Sequence, residues 1–413
     1  MVLSALFAAC VRIAACVRIS PIRARRSILI DTRRDQSEGE VLALCRDLGF
    51  ALAGIVDAAP SRWGAELRAW LAAGKHGSMG YLAEHVEARL DPNLVLPGAR
   101  SAIMVGDFYA QRGAADEPLP PGSGRIARYA RGRDYHDVMK KRLHALCDRL
   151  REAHPSEQFR AFTDTAPVLE REYAARAGLG WVGKHTLLIH PKLGSWMLLG
   201  GVFTTMELAG GAPTGSERPV GGTGAVGGTV PDHCGTCTRC IDACPTDAIT
   251  PYSVDASRCI AYLTIERRDA IDAAFHEPIG QWLFGCDICQ EVCPHNSARP
   301  EGTAVAPLWD EYTPRRSGFD LLAVLGWSVA DRRREFEASA LKRATLATMK
   351  RNAAIVAANA LRAGTLDRAA REAIVARLEQ VAADPAEPDL AREAALRALE
   401  VAGPRGGGYR ARP

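Results

Sequence analysis

No stretch of this 413-residue chain approaches the roughly 18 to 20 consecutive apolar residues that a membrane-spanning helix needs, so no helical span is expected. Charge of one sign is also scarce. With 52 basic against 48 acidic residues the formal charge is only +4, which suits neither a histone-like binder nor an acidic tail. Any contact with nucleic acid must therefore be local. No G-x-G-x-x-G follows a strand-like run and no P-loop is present, which leaves a Rossmann nicotinamide site without support. The run "GGTGAVGG" (221–228) does not qualify, because no strand or helix pattern surrounds it. Acidic residues are missing from the first 30 positions, which carry five arginines and repeat the unit AACVRI. Arg12 and Arg18 interrupt the apolar stretches there, so residues 1–37 read as a disordered or weakly helical extension, with a targeting role as the alternative.

Cysteine, by contrast, is abundant and clustered. A disulfide framework belongs to small secreted domains, whereas twelve cysteines grouped in an enzyme-sized chain fit reduced thiols in the cytoplasm. The stretch "CGTCTRCIDACP" places Cys234, Cys237, Cys240 and Cys244 in the bacterial ferredoxin spacing C-x2-C-x2-C-x3-C-P, whose fourth cysteine ligates the neighbouring cluster. A second run, "CDICQEVCP", supplies Cys286, Cys289 and Cys293 and is one ligand short; Cys259 in "SRCIAYLTIE" is the simplest completion. The expected sets are Cys234, Cys237, Cys240 and Cys293 for one [4Fe-4S] cluster, and Cys244, Cys259, Cys286 and Cys289 for the other. Cys10, Cys16, Cys45 and Cys147 remain ordinary thiols. Two structural zinc sites are the competing reading, since thiolates also bind zinc; iron and sulfide analysis separates the two.

With 47% hydrophobic and 24% charged residues, the chain is globular and long enough for two or three domains. Over residues 38–206, helical periodicity alternates with apolar strand-like runs. The segment "EVLALCRDLGF" reads as a helix stopped by Gly49, "ARSAIMVGDFY" and "SWMLLGGVFTT" as strands, and "DYHDVMKKRLHALCDRLREA" as a helix capped by Asp134. Residues 207–232 are glycine-rich with almost no bulky side chain and read as a mobile linker or loop. The cysteine domain occupies 233–300. Residues 301–403 are Ala/Leu/Arg-rich with helical periodicity, similar to HEAT repeats, and 404–413 form a disordered tail. The expected class is α+β: an α/β domain, a ferredoxin-like two-cluster domain, and C-terminal HEAT-like helices.

Six blocks in order carry a resemblance. They are "HGSMGYL" (76–82), "RYARGRDYHDVMKKRL" (128–143), "TDTAPVLEREYAARAGLGWVGKHTLLI" (163–189), the ferredoxin run, "RCIAYLTIE" (258–266) and "FGCDICQEVCP" (284–294). Together they resemble the epoxyqueuosine reductases, which make queuosine in the wobble position of certain tRNAs. The resemblance implies a cobalamin in the first domain, reduced by the two clusters, and a two-electron deoxygenation of the epoxide in tRNA. It implies a monomeric, cytoplasmic enzyme fed by an external electron donor that the sequence does not identify.

Removing an epoxide oxygen as water requires protons, which directs attention to carboxylic acids. Asp164 in "TDTAPVLER" is the expected donor, with Asp134 in support; a turn or cap aspartate and a plain N-cap are the respective alternatives. A free aspartic acid titrates near about 3.9, so burial is expected to raise the donor. Arg89 and Lys184 are expected partners of the cofactor's amides and phosphate, or else solvated surface charges. Ile260, Cys286 and Asp287 are expected to bring backbone close to the corrin. His185 stands where the resembled family usually has asparagine, and Ala261 where a small hydroxyl residue is expected. Met139 breaks the D-x-H-x-x-G motif of histidine-ligated cobalamin enzymes, so His136 is expected to pack or hydrogen-bond. Tyr81, Tyr135 and Tyr262 are candidates for stacking on a splayed base, and the seven basic residues of 331–351 for phosphate contact. A reductive dehalogenase and a pure electron carrier are the other classes open at this point. Cobalamin content and a queuosine assay discriminate among the three.

Overall fold

The computed structural model describes residues 32–114, 116–208, 225–226, 230–298, 300 and 305–402. The calls on residues 1–31 and on the tail 404–413 lie outside them. The end of the supposed extension is already ordered into the helix Thr32–Asp47, which Gly49 (φ +78°) follows.

The apolar runs form a five-stranded sheet in the order Phe159–Phe162, Met197–Thr204, Ser101–Phe108, Leu52–Asp57, Ala225–Val226. Strand Ser101–Phe108 is buried along its whole length and pairs antiparallel with both neighbours, as a run apolar on both faces requires. Ala225–Val226, inside the segment read as linker, pairs parallel with Leu52–Asp57 as an edge strand. The rest of that linker reading falls outside the described residues.

A second sheet cuts across the expected domain boundaries. Ser123–Ile126 pairs on one side with Trp282–Phe284, from the cysteine region, and on the other with Gly318–Asp320, from the C-terminal region. One hydrophobic core runs from Val41 through Phe284 to Ala398. The three regions therefore share backbone pairing and buried surface, while a second core, from Ala51 to Phe203, lies within the first region but for Ala306.

Buried polar links reinforce this union. Asp107, fully buried, accepts from the Arg142 guanidinium and from Tyr312 Oη at 2.9 Å. Arg142 also donates to Gly49 O at 3.2 Å and lies 4.1 Å over the Trp309 ring. Asp107→Leu leaves that arginine buried without its counter-charge, and a loss of about 3–5 kcal/mol is expected. Urea unfolding measures it, and a loss under about 1 kcal/mol would refute the account.

The C-terminal periodicity produces the helices Leu346–Ala363, Arg368–Ala383 and Asp389–Ala402, the first stopped by Gly364 in the left-handed region. The first is tied to the cysteine region by several side chains, among them Asn359, which donates to the carbonyls of His276 (2.7 Å) and Gly280 (2.9 Å). Arg351, 1% exposed, donates to the carbonyls of Leu263 (2.7 Å), Arg267 (2.8 Å) and Asp269 (2.6 Å). Asn352 donates to those of Thr264 (2.8 Å) and Leu283 (2.9 Å). Thr264 Oγ1 in turn accepts from the Gly285 N–H at 2.9 Å. The helix that follows Cys259 and the strand that precedes Cys286 are thus clamped by one helix turn.

Candidate active site

The cysteines sit on short, tightly turned segments. Cys240 lies on helix Arg239–Asp242, Cys289 on helix Ile288–Glu291, and the two helices pack together. Cys259 stands at the cap of helix Ile260–Ile265, and Gly285 (φ +71°) turns the chain into Cys286. Every described cysteine is a free thiol. Burial pushes the Cys240 thiol up, and Cys293, Cys234 and Cys237 add their charges to the effect. Cys293, also pushed up by burial, feels Cys234 and Cys237. Cys286 is raised by burial and by Cys259 and Cys244, and Cys259 by burial and Cys244. Cys289 is raised by burial and then by Cys286 and Cys259. Cys240 and Cys293 thus lie near Cys234 and Cys237, and Cys286 near Cys259 and Cys244. Cys289 also feels Cys240, so the sets are neighbours. Among the described residues no three His, Cys, Asp or Glu side chains converge as a single metal ion requires.

The carboxylates assemble around one histidine. Asp134 is the N-cap of helix Tyr135–Ala153, as its sequence position suggests, but its Oδ1 also meets His136 Nδ1 at 2.8 Å. His136 Nε2 meets Asp164 Oδ2 at 3.0 Å, and Tyr135 Oη donates to that same oxygen at 3.0 Å. The Asp164 N–H donates to Glu170 Oε1 at 2.5 Å, which holds Asp164 at φ +51°. The Asp164 side chain is 59% exposed, so its other edge faces open space.

The electrostatics differ from the expected rise at Asp164. Burial does push that carboxyl up, but hydrogen bonds from His136 and Tyr135 and the Arg171 charge outweigh it and hold it below the usual range. Asp134 is held low in the same way by His136. The groups raised into the neutral and alkaline range are their neighbours. Burial and the Asp164 charge push Glu170 up to about 8. For His136, burial pulls down, while hydrogen bonds to Asp134 and Asp164 overcome it and raise the imidazole to about 9. At neutral pH His136 and Glu170 both carry a proton, while Asp134 and Asp164 are ionised. The D-x-H spacing at a helix start was the available sign of this arrangement, but the partner 28 residues away in sequence was not visible there.

Arg89 belongs to the same space. It is pushed down by burial and feels Tyr81 and Asp164, and its buried Nε has no hydrogen-bond partner. An orphaned donor facing the acid site suits a polar cofactor edge. Lys184 does not join it: its Nζ donates to Gly235 O at 2.7 Å and Cys237 O at 3.0 Å, binding the loop of the first cysteine set. Ile260 is buried at the start of its helix, with its side chain in the core. Asp287 is buried and accepts from the Arg128 N–H at 2.7 Å; burial raises it to about 6. His185 is buried, accepts from the Leu187 N–H at 3.2 Å and is pushed down to about 4 by burial, so it stays neutral.

The three tyrosines divide. Tyr262 is buried and its Oη accepts from the Ser78 N–H at 2.7 Å, so it holds loop 76–80 in place. Tyr135 serves the acid site, and Tyr81 alone of the three is exposed. The basic run 331–351 is also largely committed. Arg332 donates to carbonyls of Lys342 and Ala344, and Arg334 pairs with Asp331. Arg343 pairs with Glu266 and Lys350 with Glu387, while Arg351 is in the core. Only Arg333, exposed, and Lys342, 4.0 Å from Asp134, remain available to a phosphate backbone.

The comparisons with known proteins agree with this picture. A family model described as "Epoxyqueuosine reductase QueG, DUF1730" matches residues 89–165, and one described as a 4Fe-4S double cluster binding domain matches 233–296. The epoxyqueuosine reductase of Leadbetterella byssophila is 39% identical over 334 residues, covering 78% of this chain and 99% of that protein. That of Burkholderia pseudomallei is 38% identical over 404 residues, covering 92% and 96%. The solved epoxyqueuosine reductase of Streptococcus thermophilus superimposes with a TM-score of 0.73 at 25% identity, covering 89% of this chain and 91% of that one. The same fold is seen in a crystal structure of epoxyqueuosine reductase with an epoxyqueuosine-modified tRNA-Tyr stem loop, at TM-score 0.71 and 24% identity, covering 89% and 99%. With a 4Fe-4S double cluster match over residues 233–296 and likeness over nearly the whole of its relatives, the chain belongs to the epoxyqueuosine reductase family.

Proposed function

We propose that this protein reduces epoxyqueuosine to queuosine at the wobble position of tRNA, taking up two electrons and two protons and releasing the epoxide oxygen as water. The observation that carries the reading is family membership over nearly the full length of curated relatives. The two thiol sets hold two [4Fe-4S] clusters that relay electrons from an external donor. A cobalamin would be held by the orphaned Arg89 Nε and the open edge of Asp164, with the backbone of Ile260 and of Cys286–Asp287 expected beside it. When bound, it supplies a strongly reducing cobalt centre that no side chain can imitate.

The side chains do the rest. Asp164 presents its carboxyl to the substrate oxygen and donates the proton, while Asp134 supports it through His136. A wobble base lies in a single-stranded loop from which it can be splayed into a pocket, and Tyr81 is the exposed ring for it to stack on. Arg333 and Lys342 offer charge to the flanking phosphates. Helices 346–402 are HEAT-like, and the enzyme works as a cytoplasmic monomer.

The test is to incubate the reduced, cluster-loaded protein with epoxyqueuosine-containing tRNA, with and without cobalamin, and to analyse the nucleosides. Queuosine is expected only in the cobalamin arm. Unchanged epoxyqueuosine in both arms defeats the proposal.

A further inference from the structure

We propose that His136 is the proton relay of this site, passing the proton on its Nε2 to the carboxylate of Asp164 and taking its replacement from water, while Asp134 fixes its Nδ1. The inference rests on the reading above, in which Asp164 is the donor. It goes beyond that reading by naming where the donor's proton comes from.

The geometry carries it. Both ring nitrogens face carboxylate oxygens, at 2.8 Å and 3.0 Å, and an imidazole can donate at both ends only as the imidazolium. The ring is stacked on Tyr135, 4.0 Å between centroids, so its tilt is fixed. Its side chain is 24% exposed, which gives water a route to it. The groups around it are Asp134 and Tyr135 from the start of its own helix, Asp164 from the facing loop, Glu170 and Arg171 from the helix Glu170–Arg176 that follows that loop, and Lys342 4.0 Å from Asp134. The balance of charge favours a protonated ring beside an ionised Asp164, the reverse of what a donor acid needs at rest.

The proton therefore has to move before it is delivered. His136 in its protonated form and the Asp164 carboxylate become neutral imidazole and neutral carboxylic acid. The acid then protonates the substrate oxygen as its bond to carbon breaks, returning Asp164 to the carboxylate. A second pass, after His136 has recovered a proton from water, completes the water molecule. The two electrons come from the external donor through the clusters, so the relay moves protons only. His136 does not touch the substrate and is a positioning residue acting through Asp164.

The sign of the pH dependence follows. A raised histidine is charged below its folded value, so turnover is expected to hold through neutral pH and to fall as pH rises through about 9. His136→Gln, in the full chain loaded with clusters and cobalamin, is expected to lower turnover about 10²-fold and to erase that alkaline limb. Asp134→Asn is expected to shift the limb to lower pH, and NMR of the labelled His136 ring should show the same shift. His136→Gly guards against a merely structural loss, because added imidazole is expected to restore turnover. Wild-type turnover with an unchanged pH profile in His136→Gln, or no recovery with imidazole, overturns the relay. If Asp164→Asn is fully active as well, the donor assignment fails too, so the two failures are distinguishable.

Discussion

Turnover of epoxyqueuosine-containing tRNA by an Asp164→Asn protein is expected to fall at least about 10²-fold while both clusters and cobalamin stay bound. The substitution removes the carboxylate that takes up and delivers the proton, and with it the charge that helps keep His136 protonated. Asparagine keeps the size of the side chain and an oxygen for the Tyr135 hydroxyl to bond. It also tolerates the left-handed backbone found here, φ +51°, better than most residues that carry a side chain. A folding defect is therefore not the expected cause of the loss. Single-turnover nucleoside analysis measures the rate, and iron content with cobalamin absorbance measures loading. A rate within about threefold of wild type sinks the assignment, whatever the loading.

The second large effect concerns which cysteines belong together. Cys244→Ala is expected to cost about half of the iron, and so is Cys244→Ala combined with Cys259→Ala, because both residues serve one cluster. Cys244→Ala with Cys237→Ala is expected to remove nearly all of it. A contiguous arrangement, with Cys234, Cys237, Cys240 and Cys244 around one cluster, predicts the opposite order for the two double variants. Iron and sulfide analysis of three purified proteins decides between them. The crossed arrangement is favoured because the thiols that feel each other across the fold are Cys240 with Cys293, and Cys286 with Cys244.

Much of this was legible along the chain, and the reasons for the exceptions are physical. The Asp134 cap and the Gly49 stop are local features whose geometry is set within a few residues, and they stand as the sequence suggests. The sharing of strands between regions was not legible, because Ser123–Ile126, Trp282–Phe284 and Gly318–Asp320 are short and pair over long separations. Charges were the hardest to place. An arginine on an amphipathic helix looks the same in sequence whether it meets water or a set of carbonyls, and Arg351 meets carbonyls. Lys184 likewise holds backbone of the first thiol set. At the acid site the residue types were readable, but the sign of the shift was not. It depends on which of Asp164, Glu170 and His136 holds the partners of the others.

The clamp made by Arg351 and Asn352 has a consequence in time. The helix and strand that present Cys259 and Cys286 are fixed by side chains made about sixty to ninety residues later in synthesis, estimated from the sequence separations of these hydrogen bonds. On a ribosome that has just released the last cysteine, the second thiol set still lacks the helix that braces it. Iron and sulfide delivered at that stage would meet a set not yet braced by helix Leu346–Ala363. A chain cut short ahead of that helix would hold every ligand and still be unable to keep the second cluster.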